Sequence, residues 1–244
     1  MKNIKLTIEY EGSNYHGWQV QPNATTIQGE IVKAIKKVTK EDVNLIGSGR
    51  TDTGVHAKGQ VANFITESNI PEDKFSYAIN SQLPLDISIL KSEEVPMNFH
   101  SRYDAMGKRY SYIIYNNPIR SPLYRNYTYH VPYKLDFEKM NIAKRDLLGT
   151  HDFKAFMASG SSIVDTVRTI HSISLTKKND LIYFQIEGNG FLYNMVRIIV
   201  GTLIEVGNGK ITQDSIMQIL ESKNRDTAGH TAPARGLYLE KVFY

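Results

Sequence analysis

The sequence predicts an α+β protein made of two ferredoxin-like (RRM-like) halves, and three observations carry that prediction. Segments that alternate apolar and polar residues are interspersed with segments at helical spacing. The first hundred residues read as strand, helix, two strands, helix, strand. A similar order of elements begins again near residue 105. Halves are therefore expected at 1–105 and 106–244, joined through one continuous antiparallel sheet flanked by helices, with an active-site cleft between them.

The elements follow in order. Ile4, Leu6, Ile8 and Tyr10 alternate with Lys5, Thr7 and Glu9, which is a half-buried strand. Thr25 with Gln28 forms an expected capping box. Ile27, Ile31, Ala34, Ile35 and Val38 then fall on one helical face. A short strand is expected at 43–46, a loop at 47–57 and a strand at 60–65. Pro71 followed by Glu72 and Asp73 opens a second helix, because proline fits the first turn and acids suit the N-terminal dipole. Strands follow at 87–90 and 108–115. Asp136 is positioned to cap a helix stapled by Leu135 and Met140. Strands at 167–175 and 181–187 are joined by a turn around Asn179 and Asp180. Helices at 193–206 and 212–220 and a strand at 237–243 complete the chain.

Composition narrows the function. A chain of 244 residues buries roughly 70–75% of its unfolded surface. There is no cysteine, so disulfides and thiolate metal sites are excluded. The N-terminal sequence lacks the apolar stretch of a signal peptide, and no run approaches the ~18 apolar residues of a membrane span. A soluble, cytoplasmic protein with no membrane association is expected. Net charge is +4. Between His100 and Lys134 stand six cations (Arg102, Lys108, Arg109, Arg120, Arg125, Lys134) against one acid, Asp104. Residues 99–133 also hold eight of the 15 tyrosines. Cations interleaved with aromatic rings suit phosphates and unstacked bases of RNA. A tyrosine-rich sheet with a solvated basic face has the same composition.

The strongest local signal is Gly47-Ser48-Gly49-Arg50-Thr51-Asp52-Thr53-Gly54-Val55-His56-Ala57. Its glycines permit tight turns and close backbone approach around one carboxylate and one guanidinium. By itself this segment also fits a plain turn in which Asp52 bonds its own backbone. The histidines show no metal-ligand spacing, so no metal is expected. His151-Asp152 is read as a helix-start feature, and His16 and Trp18 as structural.

Gly49–Ala57 resembles the signature of the tRNA pseudouridine synthase A family, and four further segments resemble that family in the same order. They are His16-Gly17-Trp18-Gln19-Val20-Gln21-Pro22 with Thr26–Gly29; Lys108-Arg109-Tyr110-Ser111-Tyr112; Phe191-Leu192-Tyr193-Asn194-Met195-Val196-Arg197 with Val200-Gly201; and Ala232-Pro233 with Gly236–Leu239. One departure is Thr53, where the family pattern most often has alanine.

The resemblance implies a cofactor-free isomerase that breaks the N1–C1′ bond of a uridine, turns the base and rejoins it through C5. It implies tRNA as partner, the anticodon stem and loop (positions conventionally numbered 38 to 40) as target, and a homodimer. Asp52 aligns with the essential aspartate. A carboxylate there can attack C1′, abstract a ribose proton or add to the base. Tyr110 aligns with the active-site tyrosine, and a core tyrosine is the alternative. Arg50 is expected to hold or flip the nucleotide. Arg197, in an otherwise apolar helix, is expected to pair with Asp52 or to snorkel to solvent. Leu237 is expected to pack on the uracil or in the core. Three rivals remain: a non-catalytic RNA-binding protein on the same platform, a metal-dependent phosphoesterase using Asp52, Asp104 and His56, and a synthase acting on another RNA.

Overall fold

The computed structural model describes residues 1–160 and 163–244. The protein is mixed α+β, with ten strands and five α-helices among the described residues. It forms two compact units, 1–106 with 238–244, and 107–237.

The first unit contains β1 (Lys2–Tyr10), α1 (Ile27–Thr39), β2 (Ile46–Gly47), β3 (His56–Thr66), α2 (Phe75–Asn80) and β4 (Ile87–Val95). The strands run β4-β1-β3, with β2 beside β3, all antiparallel. This is the ferredoxin-like order that the alternation of strands and helices predicts. On β1 the expected face is inside: Ile4, Leu6, Ile8 and Tyr10 are buried. Each fully buried isoleucine or leucine contributes about 1.5–3 kcal/mol, so this stripe fixes which face of the sheet turns inward.

Several details differ from the sequence expectation. The cap of α1 is Thr26, whose side chain accepts from Gly29 N–H, not Thr25. Gln28 is spent elsewhere: its amide oxygen accepts from Val20 N–H and Gln19 Nε2, and its Nε2 donates to Leu45 O. A side chain that ties two loops together cannot also reach back to the cap. The strand β3 begins at His56, inside the expected loop. Pro71 opens a 3-10 turn at Glu72–Lys74, and α2 follows only from Phe75.

The second unit contains β5 (Gly107–Asn116), β6 (Tyr129–Val131), α3 (Phe137–Ala143), β7 (Gly149–Asp152), β8 (Val167–Lys178), β9 (Leu181–Gly188), α4 (Met195–Gly207) and α5 (Ile216–Ser222). Its strands run β5-β9-β8-β7, antiparallel. The order β5-β9-β8 matches that of β1-β3-β2. Asp136 caps α3 as expected, accepting from Lys139 N–H, and Leu135 and Met140 are both buried. The β8–β9 turn uses Asn179 at φ 53°. Every residue of α4 is buried except Arg197 and Glu205.

Pairing is not antiparallel throughout. The short strand β6 lies parallel to β5, and the last strand, β10 (Leu237–Phe243), pairs parallel with β3 through Tyr238–His56 and Leu239–Ala57. Both strands are reached by long connections, not by hairpins, so parallel pairing is sterically open to them. The final residues, 238–244, pack with the first unit although the sequence order groups them with the second half. Besides the β3 pairing, Met106 N–H donates to Phe243 O and Tyr244 Oη to Ser101 O.

Candidate active site

The loop between β2 and β3 is pinned by its backbone and by its neighbours. Ser48 N–H donates to Val61 O at 2.8 Å, and Ser48 Oγ donates to Gln60 Oε1 at 2.6 Å. Gln60 Nε2 donates to Gly49 O at 3.0 Å. Thr51 is held from two sides. Its carbonyl accepts from Trp18 N–H at 3.1 Å, and its hydroxyl lies 2.8 Å from Tyr10 Oη. The loop closes with a turn in which Val55 N–H donates to Asp52 O at 3.1 Å and Gly54 takes φ 78°. That left-handed conformation favours glycine. Gly47 is required for a different reason: a Cβ there would sit 2.5 Å from the Trp18 indole nitrogen.

The result is a fixed main chain with selected side chains directed outward. Thr51 and Val55 are buried, Asp52 is partly exposed, and Arg50 and Thr53 are exposed. A carboxylate held this way meets a substrate without first paying for ordering of its loop. Because Thr53 is exposed, its difference from the family's alanine touches none of these anchors.

The neighbouring motif residues are structural. Trp18 is 1% exposed and tilts against Tyr10 with ring centroids 6.2 Å apart. His56 is buried and stacks on Tyr238 at 4.8 Å. His56 Nδ1 accepts from Gly12 N–H at 3.1 Å, so in the neutral ring the proton sits on Nε2. Neither nitrogen then offers a lone pair to a metal, which counts against the phosphoesterase rival. Among the described residues, no group of three or more His, Asp or Glu side chains is arranged to hold a metal ion. His151 and Asp152 do not act as a pair. The imidazole Nε2 bonds Leu148 O, while Asp152 accepts from Lys154 N–H at the start of a 3-10 turn.

The other expected site residues lie in the second unit. Tyr110, Tyr112 and Ile114 share the buried face of β5, as the alternation predicts. Tyr110 is 8% exposed and meets Phe191 edge-on at 5.1 Å. Arg109, on the opposite face, pairs with Glu187 directly across on β9 at 2.7 Å. Tyr112 is fully buried, and its hydroxyl donates to Pro233 O at 2.7 Å. Burial pushes its phenol well above the ordinary tyrosine range, so it stays a neutral donor. Leu237 is buried at the start of β10.

Arg197 is not a snorkelling side chain. Its Nε donates to Ala232 O at 2.7 Å and its Nη1 to Asn194 Oδ1 at 2.7 Å. Asn194 itself sits in the left-handed region at φ 59° just before α4. Arg197 therefore ties the start of α4 to the Ala232-Pro233 segment, a role the sequence did not reveal. The acceptor is a main-chain carbonyl, which leaves no trace in residue identity.

The basic, tyrosine-rich stretch divides by exposure. Arg102 and Tyr103 are exposed in the first unit. Arg120, Tyr124, Arg125, Tyr127, Tyr133 and Lys134 are exposed in the second. Tyr110 and Tyr112, by contrast, belong to the buried face of β5. No helix is long and apolar enough to cross a membrane among the described residues.

A family model described as tRNA pseudouridine synthase matches residues 6–104 and 143–244, which takes in Asp52 and Arg197. The tRNA pseudouridine synthase A of Acetivibrio thermocellus is 61% identical over 244 residues, covering 100% of both chains. That of a Thermoanaerobacter species (strain X514) is 55% identical, again over 100% of both. The tRNA pseudouridine synthase A 2 of Clostridium tetani is 56% identical over 100% of this chain and 99% of its own. Identity at this level across the full length, with the pinned Asp52 loop inside the matched region, places the chain: it belongs to the tRNA pseudouridine synthase family, a family of isomerases.

Proposed function

We propose that this protein converts uridine to pseudouridine in the anticodon stem and loop of tRNA, at positions 38 to 40, with Asp52 as the catalytic carboxylate. The single observation that supports the catalytic assignment best is the Asp52 loop. Its main chain is held by Trp18 and Gln60 and its Thr51 hydroxyl by Tyr10, yet the Asp52 side chain stays partly exposed. The names of the full-length relatives support tRNA as the substrate.

The chemistry suits these residues. Asp52 stabilises or attacks the electron-poor C1′ as the N1–C1′ bond opens, or takes a ribose proton, or adds to the base. The leaving uracil spreads its charge over two carbonyls, so the site needs no strong general acid. The detached base turns within the site and rejoins through C5; the C5 proton is then lost and N1 takes up one proton, so the product is an isomer of the substrate. Nothing is oxidised, hydrolysed or transferred from a donor, so the balance closes without a cofactor or metal. Tyr110 contacts the target base, Arg50 occupies the space that a flipped nucleotide leaves, Arg197 binds substrate, and Leu237 packs on the uracil. The exposed cations and tyrosines of 102–134 suit the phosphates and bases of the stem-loop. The working form is a homodimer in the cytoplasm. A dimer would double the +4 charge presented to one tRNA.

The test maps pseudouridine at single-nucleotide resolution in unmodified tRNA transcripts after incubation with enzyme and chelator. Conversion confined to positions 38 to 40 is the expected result. Conversion elsewhere would move the substrate assignment to another RNA site. Tight RNA binding without conversion would favour the RNA-binding rival.

A further inference from the structure

The polar side chains of α4 share one partner. Its sequence, Met195–Gly207, is apolar or glycine apart from Arg197, Thr202 and Glu205. All three bind the segment 229–232. Thr202 Oγ1 accepts from Gly229 N–H at 2.9 Å. Glu205 Oε1 accepts from both His230 N–H at 3.1 Å and His230 Nδ1 at 2.8 Å. Arg197 donates to Ala232 O, and its own carbonyl accepts from Ala232 N–H at 3.1 Å. The approach is as close as a helix allows, since a Cβ on Gly201 would fall 1.8 Å from His230 O. One residue further on, Tyr112 holds Pro233 O, and a Cβ on Gly236 would meet the Tyr112 ring at 2.6 Å. The segment is thus a strap, clasped along α4 and β5, that ends at Leu237.

One clasp is built from side chains on both sides. Burial opposes ionisation of Glu205, but the hydrogen bonds from His230 outweigh it and hold the carboxyl below its ordinary range. As a carboxylate Glu205 only accepts, so Nδ1 of His230 carries a proton. The other ring nitrogen, Nε2, lies 3.3 Å from Tyr129 Oη. Tyr129, on β6, therefore closes a chain of three side chains that fixes the His230 ring in one orientation.

We propose that His230 and Glu205 are positioning residues of the isomerase, which set the path of the 229–236 strap and so place Leu237 against the target base. Neither touches the substrate. The inference rests on the reading above that Leu237 packs on the uracil.

The experiment compares kcat and KM for unmodified tRNA in wild type, His230→Ala, Glu205→Ala, Glu205→Gln, Leu237→Ala and the double variant His230→Ala/Leu237→Ala. Thermal unfolding is followed on the same samples. Both clasp residues are partly exposed, so the variants are expected to fold. His230→Ala and Glu205→Ala should each lower kcat about 10-fold with KM within about twofold of wild type, because tRNA affinity is spread over many phosphate contacts. Glu205→Gln, which keeps an acceptor oxygen in place, should recover most of the loss seen in Glu205→Ala. In the Leu237→Ala background, His230→Ala should cost nothing further, because the strap then has no side chain to place.

Four results would overturn the proposal. The first is an unchanged kcat in His230→Ala despite a lowered melting temperature, which marks the clasp as merely structural. The second is a glutamine variant no better than the alanine one. The third is full additivity with Leu237→Ala. The fourth is a Leu237→Ala enzyme with normal kcat. In all four the wild type turns over, so the isomerase reading stands; the fourth also removes the Leu237 contact with the uracil. A wild type that forms no pseudouridine would instead remove that reading and this one with it.

Discussion

The hydroxyls of Tyr10 and Thr51 meet in the core, 2.8 Å apart, one residue before Asp52. Tyr10 ends the first strand, and Thr51 sits in the loop that carries Asp52, the proposed catalytic carboxylate. The contact ties the end of β1 to the Asp52 loop. Tyr10→Phe leaves a buried Thr51 hydroxyl without that partner. The expected cost is about 1–3 kcal/mol in urea unfolding, together with a lower kcat. Wild-type stability and turnover would show that the loop is held by its other anchors alone.

Gly17 provides a second test of the same idea. It lies at φ 82°, and a Cβ there would stand 2.5 Å from the Thr51 carbonyl oxygen. Gly17→Ala should destabilise the protein by about 2 kcal/mol or more, since the left-handed conformation alone costs an L-residue about 1–2 kcal/mol. Turnover should fall more than the unfolding midpoint suggests, because the displaced atom adjoins Asp52. Equal proportional losses would place the effect on global stability only.

Arg197→Lys separates charge from geometry. Lysine keeps the positive charge but cannot direct separate donors to Ala232 O and Asn194 Oδ1 as the guanidinium does. Unfolding experiments should show a loss of about 1–3 kcal/mol. A lysine variant as stable and active as wild type would mean that charge alone matters at this position.

Asp152 sets a pH dependence. A hydrogen bond from Thr166, at 2.5 Å, is the main cause of a carboxyl pKa below the ordinary aspartate value, and Lys223 assists from 2.9 Å. A depressed folded-state pKa means that the stabilisation is complete above the unfolded value of about 3.9 and disappears as pH falls through the lower folded value. Asp152→Asn should therefore lower stability at neutral pH and flatten its decline below about pH 4. Parallel curves for both proteins would contradict this.

Much of the architecture was legible in the sequence because it rests on periodicity. The alternation of Ile4, Leu6 and Ile8, the face shared by Tyr110, Tyr112 and Ile114, and the Asp136 cap all appear where residue pattern places them. What escaped has a common physical cause. The strands β6 and β7 span only Tyr129–Val131 and Gly149–Asp152, too short for a period to register. The true cap, Thr26, was hidden by an adjacent threonine with equal chemistry. The clasps on Ala232 and Pro233 use main-chain carbonyls, which sequence does not distinguish. A signal was nevertheless present: Thr202 is a polar interruption on the buried face of an apolar helix, and a buried polar group needs a partner.

The role proposed for Asp52 can be read from tritium release by C5-labelled uridine in unmodified tRNA, with wild type and Asp52→Ala side by side. Both proteins should fold and bind tRNA, the wild type should release tritium, and the variant should retain less than about one-thousandth of that rate. An Asp52→Ala protein that binds tRNA and still releases tritium at a rate near wild type would contradict it.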